Sequence, residues 1–341
     1  MAFPELYLSK PAIVLPAKKI DNDELLDLIR INYRGAKGDY PVLEKIVEKI
    51  FEQCGSETRY IETDPTVRVA EYAIKAAQAC LAANGLNAGN LDLLINGSIA
   101  REYFEPSTAM EIAAGLGIEE IHAFDVTSAC AGSLEAVHIA GAYFNLHDHF
   151  QNALVCSAEL TRNFLSYAIQ SVPELVEKAA GLTIGNAAAA WAISRRPFPG
   201  GCLRIRAARN YSLPRHWHLC TTPIDGTFTS MAGELFKLSV HVAPELRRVL
   251  AGIGWSAADV DHFVFHQPSE KMVQAVMYDL EAAPEKAVYS HHLYGNTSST
   301  TVALALHQLL KERDILNGQK LLLSTAASGF TMVTIAGEWV E

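Results

Sequence analysis

The sequence predicts an α/β protein in which strands and helices alternate in packed layers. Compact apolar runs such as "LDLLING" (91–97) end at glycine or polar residues, which is typical of buried strands. Longer segments rich in helix-forming residues, such as "AGSLEAVHIAGAYFN", lie between these runs. The chain closes with two apolar runs, "KLLLSTA" and "FTMVTIAGEWV", which predict a final antiparallel pair.

The same alternation runs through both parts of the chain. In the first part we predict the strands "LDLLING", "IHAFDV" and "NALVCSAEL" (152–160), with the helix "AGSLEAVHIAGAYFN" between the last two. In the second part we predict the strands "AAAAWAI", "LRIRAA" and "DHFVFH", followed by the helices "SEKMVQAVMYDL" and "TTVALALHQLLKERD". We expect two halves, residues 1–180 and 181–341.

The length and the net charge of the chain limit the classes of protein to which it can belong. The chain has 341 residues, of which 50% are hydrophobic and 19% charged, enough for a substantial core. Its net charge of −10 argues against a nucleic-acid binder, because phosphate contacts need a basic face. No apolar run reaches the ~18–20 residues of a membrane span, and the N-terminus lacks the pattern of a secretory signal. We therefore expect a cytoplasmic protein.

The six cysteines are scattered without a C-x-x-C pair, so neither a disulfide framework nor a zinc ribbon is predicted. In "RHWHLC", His216, His218 and Cys220 alternate and would share one face of a strand. A metal could bind there, but no second ligand cluster accompanies them, so we predict no metal site.

Other polar clusters are interpreted as structural. The basic clusters "RIRAAR" (204–209) and Arg247–Arg248 could hold an anion, but solvated strand and helix faces are the favoured interpretation. The histidines of "HH" (291–292) are predicted to be polar loop residues.

The segment "FDVTSACAGSLEA" (124–136) contains Cys130 where a predicted strand gives way to a helix. A thiol at a helix N-terminus meets the positive end of the helix dipole, which favours the thiolate. The small neighbours Ala129, Ala131 and Gly132 would leave room for an acyl thioester. These features predict a nucleophile, although a cysteine is more often a small core residue.

His266 in "FVFHQPSEKM" and Asn296 in "LYGNTSSTT" complete a candidate constellation. Each carries an N–H donor for a developing oxyanion, and each lies where a strand or turn opens into a helix. A strand leads through "TSAC" in the first half and through "HQPS" in the second. We therefore expect Cys130 and His266 at equivalent strand-to-helix junctions.

Three segments together, "DVTSACAGSLEAV", "FHQPS" and "YGNTSST", resemble the active-site segments of thiolase-fold condensing enzymes near ketoacyl-ACP synthase III. "IGNAAAAWAI" (184–193) resembles the strand that opens their second half. The resemblance implies a thiolase-like layered αβαβα fold with two pseudo-equivalent halves. It also implies a homodimer that takes acyl groups from CoA or acyl carrier protein thioesters, with no further cofactor.

The resemblance also implies a role for each residue. Cys130 would take the acyl group, while His266 and Asn296 would hold the thioester oxygen of the second substrate as its enolate forms. The backbone N–H groups of Cys130 and Ser328 would form the other oxyanion hole. Here Ala327-Ser328-Gly329 replaces the glycine-rich triplet that is usual in the family. A serine keeps the backbone donor if its φ and ψ values are tolerable.

"SIAREYFEPSTA" (98–109) resembles a segment of the head-to-head condensing enzymes, namely olefin-biosynthesis thiolases and bacterial α-pyrone synthases. In these relatives the glutamate before proline enters the neighbouring subunit's active site as the base, and Glu105 matches it. Joining two acyl chains without decarboxylation requires removal of a proton next to a thioester carbonyl, which a desolvated carboxylate can do. The alternative for Glu105 is a surface carboxylate.

We therefore expect a ketosynthase that joins two acyl thioesters by non-decarboxylative Claisen condensation, with a 3-oxoacyl partner and an α-pyrone product favoured. A β-keto acid product, as in the olefin pathway, is one alternative. A second is a thiolase-fold acyltransferase that forms an ester or amide and needs no Glu105. A non-catalytic partner subunit is disfavoured because the cysteine, histidine and asparagine are all present.

Overall fold

The computed structural model describes residues 4–36 and 38–341. The strands in this part of the chain are β1 (Tyr7–Leu8), β2 (Ala12–Val14), β3 (Lys18–Asp21), β4 (Thr58–Ile61), β5 (Leu93–Asn96), β6 (His122–Asp125), β7 (Asn152–Glu159), β8 (Ala187–Ser194), β9 (Cys202–Ser212), β10 (Cys220–Thr221), β11 (Thr229–Ser230), β12 (His262–Phe265), β13 (Lys320–Ala327) and β14 (Thr331–Val340). The predicted strands are therefore confirmed.

The α-helices in residues 4–36 and 38–341 are α1 (Asn22–Asn32), α2 (Tyr40–Cys54), α3 (Val69–Ala83), α4 (Thr108–Gly115), α5 (Gly132–Leu146), α6 (Val172–Lys178), α7 (Ala232–Lys237), α8 (Val242–Ala251), α9 (Glu270–Asp279), α10 (His291–Tyr294) and α11 (Thr301–Glu312). The three helices predicted above correspond to α5, α9 and α11. Of the helices described, none combines the length and apolar character needed to cross a bilayer.

Most strands form one mixed sheet in the order β12-β13-β14-β9-β1-β8-β7-β5-β6, with β2 beside β8. β1 joins its two parts, because Tyr7 and Leu8 pair with β8 on one side and with β9 on the other. The pairs β3-β4 and β10-β11 form two small separate sheets. The sheet thus consists of two sets of strands connected through the N-terminal strand.

The two sets repeat one pattern. In the first, β5 pairs in parallel with β6 and β7, and β7 pairs antiparallel with β8. In the second, β12 pairs in parallel with β13 and through Phe263 with Ala287, and β13 pairs antiparallel with β14. Because β8 pairs with β7, it belongs to the first set. β8 ends at Ser194, and β9, which begins at Cys202, pairs with β14 of the second set.

Helices cover both faces of each set. α5 and α11 fill the middle, where they contact residues of both strand sets, whereas α3 and α4 cover the outer face of the first set and α8 and α9 that of the second. β7 shows the period of two that this requires, since Val155 faces the middle and Cys156 faces α3 and α4. The layers therefore follow the predicted order αβαβα.

This repeat shows that the strand-to-helix junctions of Cys130 and His266 are not equivalent, contrary to the expectation. Cys130 follows β6, and the counterpart of β6 in the second set is the segment at Ala287, which leads to Asn296. His266 follows β12, whose counterpart is β5, the strand before the loop that carries Glu105. Cys130 and His266 thus occupy different positions in their halves, because the sequence did not reveal the short strand-like segment at Ala287.

Candidate active site

Cys130 lies on a sharp turn between β6 and α5. Residues Ala129–Ala131 form one 3₁₀ turn, and α5 begins at Gly132. Ala129 has φ +46°, a left-handed conformation that costs an L-residue about 1–3 kcal/mol. The predicted position at the start of a helix is confirmed, and the strained residue immediately precedes the thiol.

The small residues around Cys130 have a packing role that differs from the expected clearance for substrate. A Cβ added at Gly132 would lie 2.2 Å from the carbonyl oxygen of Gly97, so only glycine lets α5 approach β5 this closely. Ala131 is fully buried in the middle layer. The requirement for small side chains at these two positions therefore comes from the close packing of α5 on the sheet.

The surroundings of the Cys130 thiol favour its neutral form and not the expected thiolate. Burial raises the pKa of Cys130 to about 12, because the surrounding protein replaces the water that would solvate a thiolate. The Ser298 hydroxyl donates to Cys130 Sγ at 3.6 Å and acts in the opposite direction. Desolvation thus outweighs the helix dipole, and the resting residue is a thiol.

Asn296 lies two residues before Ser298, directly after a tight turn. A Cβ at Gly295, where φ is +67°, would lie 2.3 Å from the carbonyl oxygen of Thr183, so the backbone needs glycine here. Asn296 Oδ1 accepts the Ser298 N–H at 2.9 Å. This bond fixes the orientation of the amide and leaves its N–H₂ group as a donor.

His266 follows β12. Its backbone N–H donates at 2.9 Å to the carbonyl oxygen of Ser324 on β13. Burial, together with the neighbouring His291, lowers the pKa of His266 to about 3. The ring is therefore neutral at working pH, and one of its nitrogens carries a hydrogen that it can donate.

The expectation that both residues of "HH" are polar loop residues is wrong. His291 is fully buried in α10, and its Nδ1 lies 2.9 Å from the carbonyl oxygen of Gln267. Burial lowers the pKa of His291 to about 4. His292 Nδ1 pairs with Glu270 at 2.8 Å. These contacts join the segment before Asn296 to the segment after His266.

Ser328 follows the last residue of β13, and the 3₁₀ turn of Cys130 packs against this strand. In the described chain, the left-handed φ values of the turn fall at Gly329 (+74°) and Phe330 (+43°), so Ser328 itself adopts an ordinary φ. Its hydroxyl bonds to the thiol of Cys220, a second cysteine near Cys130. Serine is thus compatible with the backbone at this position.

Glu105 is exposed on the loop between β5 and α4, and Phe104 beside it is 76% exposed. Both ends of this loop are held. Glu159 accepts the N–H groups of Ile99 and Ala100, and Asp125 accepts the first N–H groups of α4. The loop therefore offers a carboxylate and an aromatic ring at the surface of one chain.

The sequence interpretation missed two residues at this site. Glu159 is an isolated carboxylate at the end of the otherwise apolar run "NALVCSAEL", and it is fully buried. Ser298, two residues after Asn296, has φ +54° and contacts the nucleophile. Glu159 could have been found as a charged residue at the end of a predicted buried strand. Nothing in the sequence singled out Ser298.

The remaining clusters have structural roles. In "RHWHLC", His216 and His218 lie in a 3₁₀ helix (Pro214–Leu219) and only Cys220 lies in a strand, β10, so the three residues do not share the expected strand face. The basic clusters are ion-paired, since Arg204 bonds Glu338, and Arg209 and Arg248 contact Glu245. Solvated faces are therefore confirmed for these arginines.

Comparison with known proteins agrees with this geometry. Residues 250–339 match the family model of the C-terminal part of 3-oxoacyl-[acyl-carrier-protein] synthase III. The chain is 30% identical over 299 residues to beta-ketoacyl-[acyl-carrier-protein] synthase III of Chelativorans sp. (strain BNC1), covering 87% of this chain and 92% of that protein.

Two solved structures share the whole fold. FabH, the 3-oxoacyl-(acyl carrier protein) synthase III of Pseudomonas aeruginosa PAO1, superposes with a TM-score of 0.84 at 22% identity and covers 99% of each chain. A Cys-to-Ser variant of Xanthomonas campestris OleA with bound lauric acid and lauroyl-CoA gives 0.86 at 22% identity, covering 99% of this chain and all of the other. The fold is thus thiolase-like, and the chain belongs to the beta-ketoacyl-[acyl-carrier-protein] synthase III family of condensing enzymes.

Proposed function

We propose that this condensing enzyme joins two acyl thioesters head-to-head without decarboxylation. Cys130 carries the first acyl group, and Glu105 of a second subunit is the base. The observation that carries the proposal is the exposed Glu105, on a loop that is anchored at both ends and bears the exposed Phe104. A carboxylate presented in this way is available to a neighbouring active site.

In the first half-reaction, the sulfur of Cys130 attacks the acyl carbonyl and the leaving thiolate takes up the proton of the thiol. The Ser298 hydroxyl, which donates to Sγ, stabilises the sulfur as negative charge develops. The backbone N–H groups of Cys130 and Ser328 hold the carbonyl oxygen in this step. The raised pKa of Cys130 requires this help, since little thiolate is present before substrate binds.

In the second half-reaction, Glu105 removes the proton next to the carbonyl of the second thioester. The neutral ring of His266 and the amide of Asn296 donate to the enolate oxygen. The enolate carbon then attacks the acyl carbonyl, a carbon–carbon bond forms, and the bond to Cys130 sulfur breaks. The proton held by Glu105 is released and the Cys130 thiolate takes up a proton, which restores the resting enzyme. The exposed rings of Tyr103 and Phe104 support a homodimer, in which Glu105 would lie in the active site of the second subunit.

We favour a 3-oxoacyl group on Cys130 and a simple acyl thioester as second substrate. The condensed chain is then a 3,5-dioxo thioester, and the enol oxygen at its C5 would attack the thioester carbonyl, release the carrier thiol and close a six-membered α-pyrone. The alternatives are a β-keto acid, formed by hydrolysis, and simple acyl transfer to an alcohol or amine. Acyl-CoA is the natural first probe, because the structurally similar OleA variant contains bound lauroyl-CoA.

The proposal is tested with lauroyl-CoA alone and with a 3-oxoacyl-CoA added. Intact mass should show one lauroyl group per chain in the first case, and product analysis should show a carbon–carbon coupled chain without malonyl thioester in the second. Coupling that occurs only with a malonyl thioester would instead identify a decarboxylating synthase. An ester or amide product would identify an acyltransferase.

The enolate-binding pair gives a separate prediction. His266→Ala and Asn296→Ala should each slow condensation by roughly 10²–10³, the usual effect of removing one preorganised donor. Acyl loading of Cys130 should persist, because these side chains serve the second half-reaction. Single-turnover measurement of each step checks this, and equal loss of both steps would mean that the residues serve the thiol.

A further inference from the structure

Glu159 is a buried carboxylate that the reaction steps above do not use. It is the last residue of β7, its side chain is inaccessible to solvent, and its oxygens accept the N–H groups of Ile99 at 3.0 Å and Ala100 at 3.1 Å. It also accepts the hydroxyl and the backbone N–H of Ser299. Four donors thus converge on one carboxylate.

These donors belong to the two segments that carry the site. Ile99 and Ala100 begin the loop that leads to Glu105, whereas Ser299 lies beside Ser298, which contacts Cys130 and is bonded to Asn296. One side chain therefore connects the turn that orients the enolate donor with the loop that carries the proposed base. The two segments come from different halves of the chain.

The chemistry of the contacts fits an ionised carboxylate. Each oxygen of Glu159 accepts a backbone N–H, which can only donate, so these contacts favour the carboxylate over the carboxylic acid. Burial raises the pKa of Glu159, and its four bonds oppose this effect. A charge held here also acts on the nucleophile, because Glu159 raises the pKa of Cys130.

We propose that Glu159 is a positioning residue, whose carboxylate holds the Ser298–Ser299 turn so that Asn296 and Ser298 face Cys130. This inference rests on the proposed function. It predicts two opposite effects of Glu159→Gln. Condensation should become slower because the donors shift, while the thiol of Cys130 should become easier to ionise because a negative charge is lost.

The slower condensation is measured as the ratio of the condensation rate to the rate of acyl loading. Glu159→Gln keeps the size of the side chain but replaces one acceptor oxygen with an N–H₂ group that faces donors. We expect condensation to fall roughly 10²-fold, the effect of a misplacement of about 1 Å. Acyl loading should fall only a few-fold, because easier ionisation of the thiol offsets the shift of Ser298. Glu245→Gln is the matched control, since Glu245 on α8 is also buried but pairs with Arg209 of β9 and Arg248 of α8. It should leave the ratio unchanged.

The second effect is measured by alkylation of Cys130 with iodoacetamide at several pH values. Cys220 and Glu159 both raise the pKa of Cys130, so removal of the carboxylate charge should lower it. Alkylation at a given pH should then be several-fold faster. A loosened fold would also expose the thiol and speed its alkylation, so the fully buried Cys156 is monitored in the same sample and should stay unmodified.

Loading and condensation that fall by the same factor, or an unchanged alkylation rate, would overturn the assignment. If Glu159→Gln does not fold, Ser299→Ala removes one donor and should change the ratio of rates in the same direction. Absence of acyl loading on wild-type Cys130 would instead refute the proposed function, while the alkylation comparison would still decide the influence of Glu159 on the thiol.

Discussion

Replacing Cys130 with alanine is expected to remove acyl loading and product formation together, by at least ~10³-fold. The substitution deletes only a sulfur atom that accepts a bond from Ser298, and Ala129 and Ala131 already flank it, so the fold should persist. Intact mass with lauroyl-CoA measures loading, and circular dichroism measures folding.

Cys156→Ala is the matched control, because this thiol is fully buried in β7 and faces α3 and α4. It should load normally even if it lowers the melting temperature. Peptide mapping that finds the acyl group on Cys156 or Cys202 would show that Cys130 is not the nucleophile.

Replacing Glu105 with glutamine should stall condensation by roughly 10²–10⁴, the usual contribution of a general base. The amide keeps the size of the side chain but cannot take the proton of the second substrate. Acyl-enzyme should accumulate at Cys130, because loading does not need this base. Rapid-quench analysis of acyl-enzyme and product over time distinguishes the two steps.

Glu102→Gln controls for disturbance of the loop, since Glu102 lies three residues earlier and accepts the Val69 N–H at 2.8 Å. It should condense at close to the normal rate. If Glu105→Gln also condenses normally, the base lies elsewhere or the reaction is acyl transfer, and the head-to-head assignment fails.

The strands and helices near the site were predictable because their patterns are local. The apolar run of β7, the helix formers of α5 and the serine that caps α9 at Ser269 each determine their element within a few residues. The closing pair β13 and β14 was predictable for the same reason.

Features that depend on contacts between distant segments were not predictable. His291 looks like a polar turn residue, yet it is buried because Gln267, from another segment, satisfies its Nδ1. Burial raises the pKa of Cys130. This effect outweighs that of the helix dipole, which was the influence that the sequence indicated. The wrong pairing of Cys130 with His266 arose because the segment at Ala287 forms only an isolated bridge with Phe263.

A mixed dimer tests most directly whether Glu105 acts on Cys130 of the other subunit. Glu105→Gln and Cys130→Ala chains, each with its own affinity tag, are combined and the heterodimer is purified. One active site then has the sulfur of the first chain and the carboxylate of the second, and the other site lacks both groups. We predict about half of the wild-type condensation rate per dimer. No recovery above the parent variants, or full wild-type activity in a sedimenting monomer, would contradict the account.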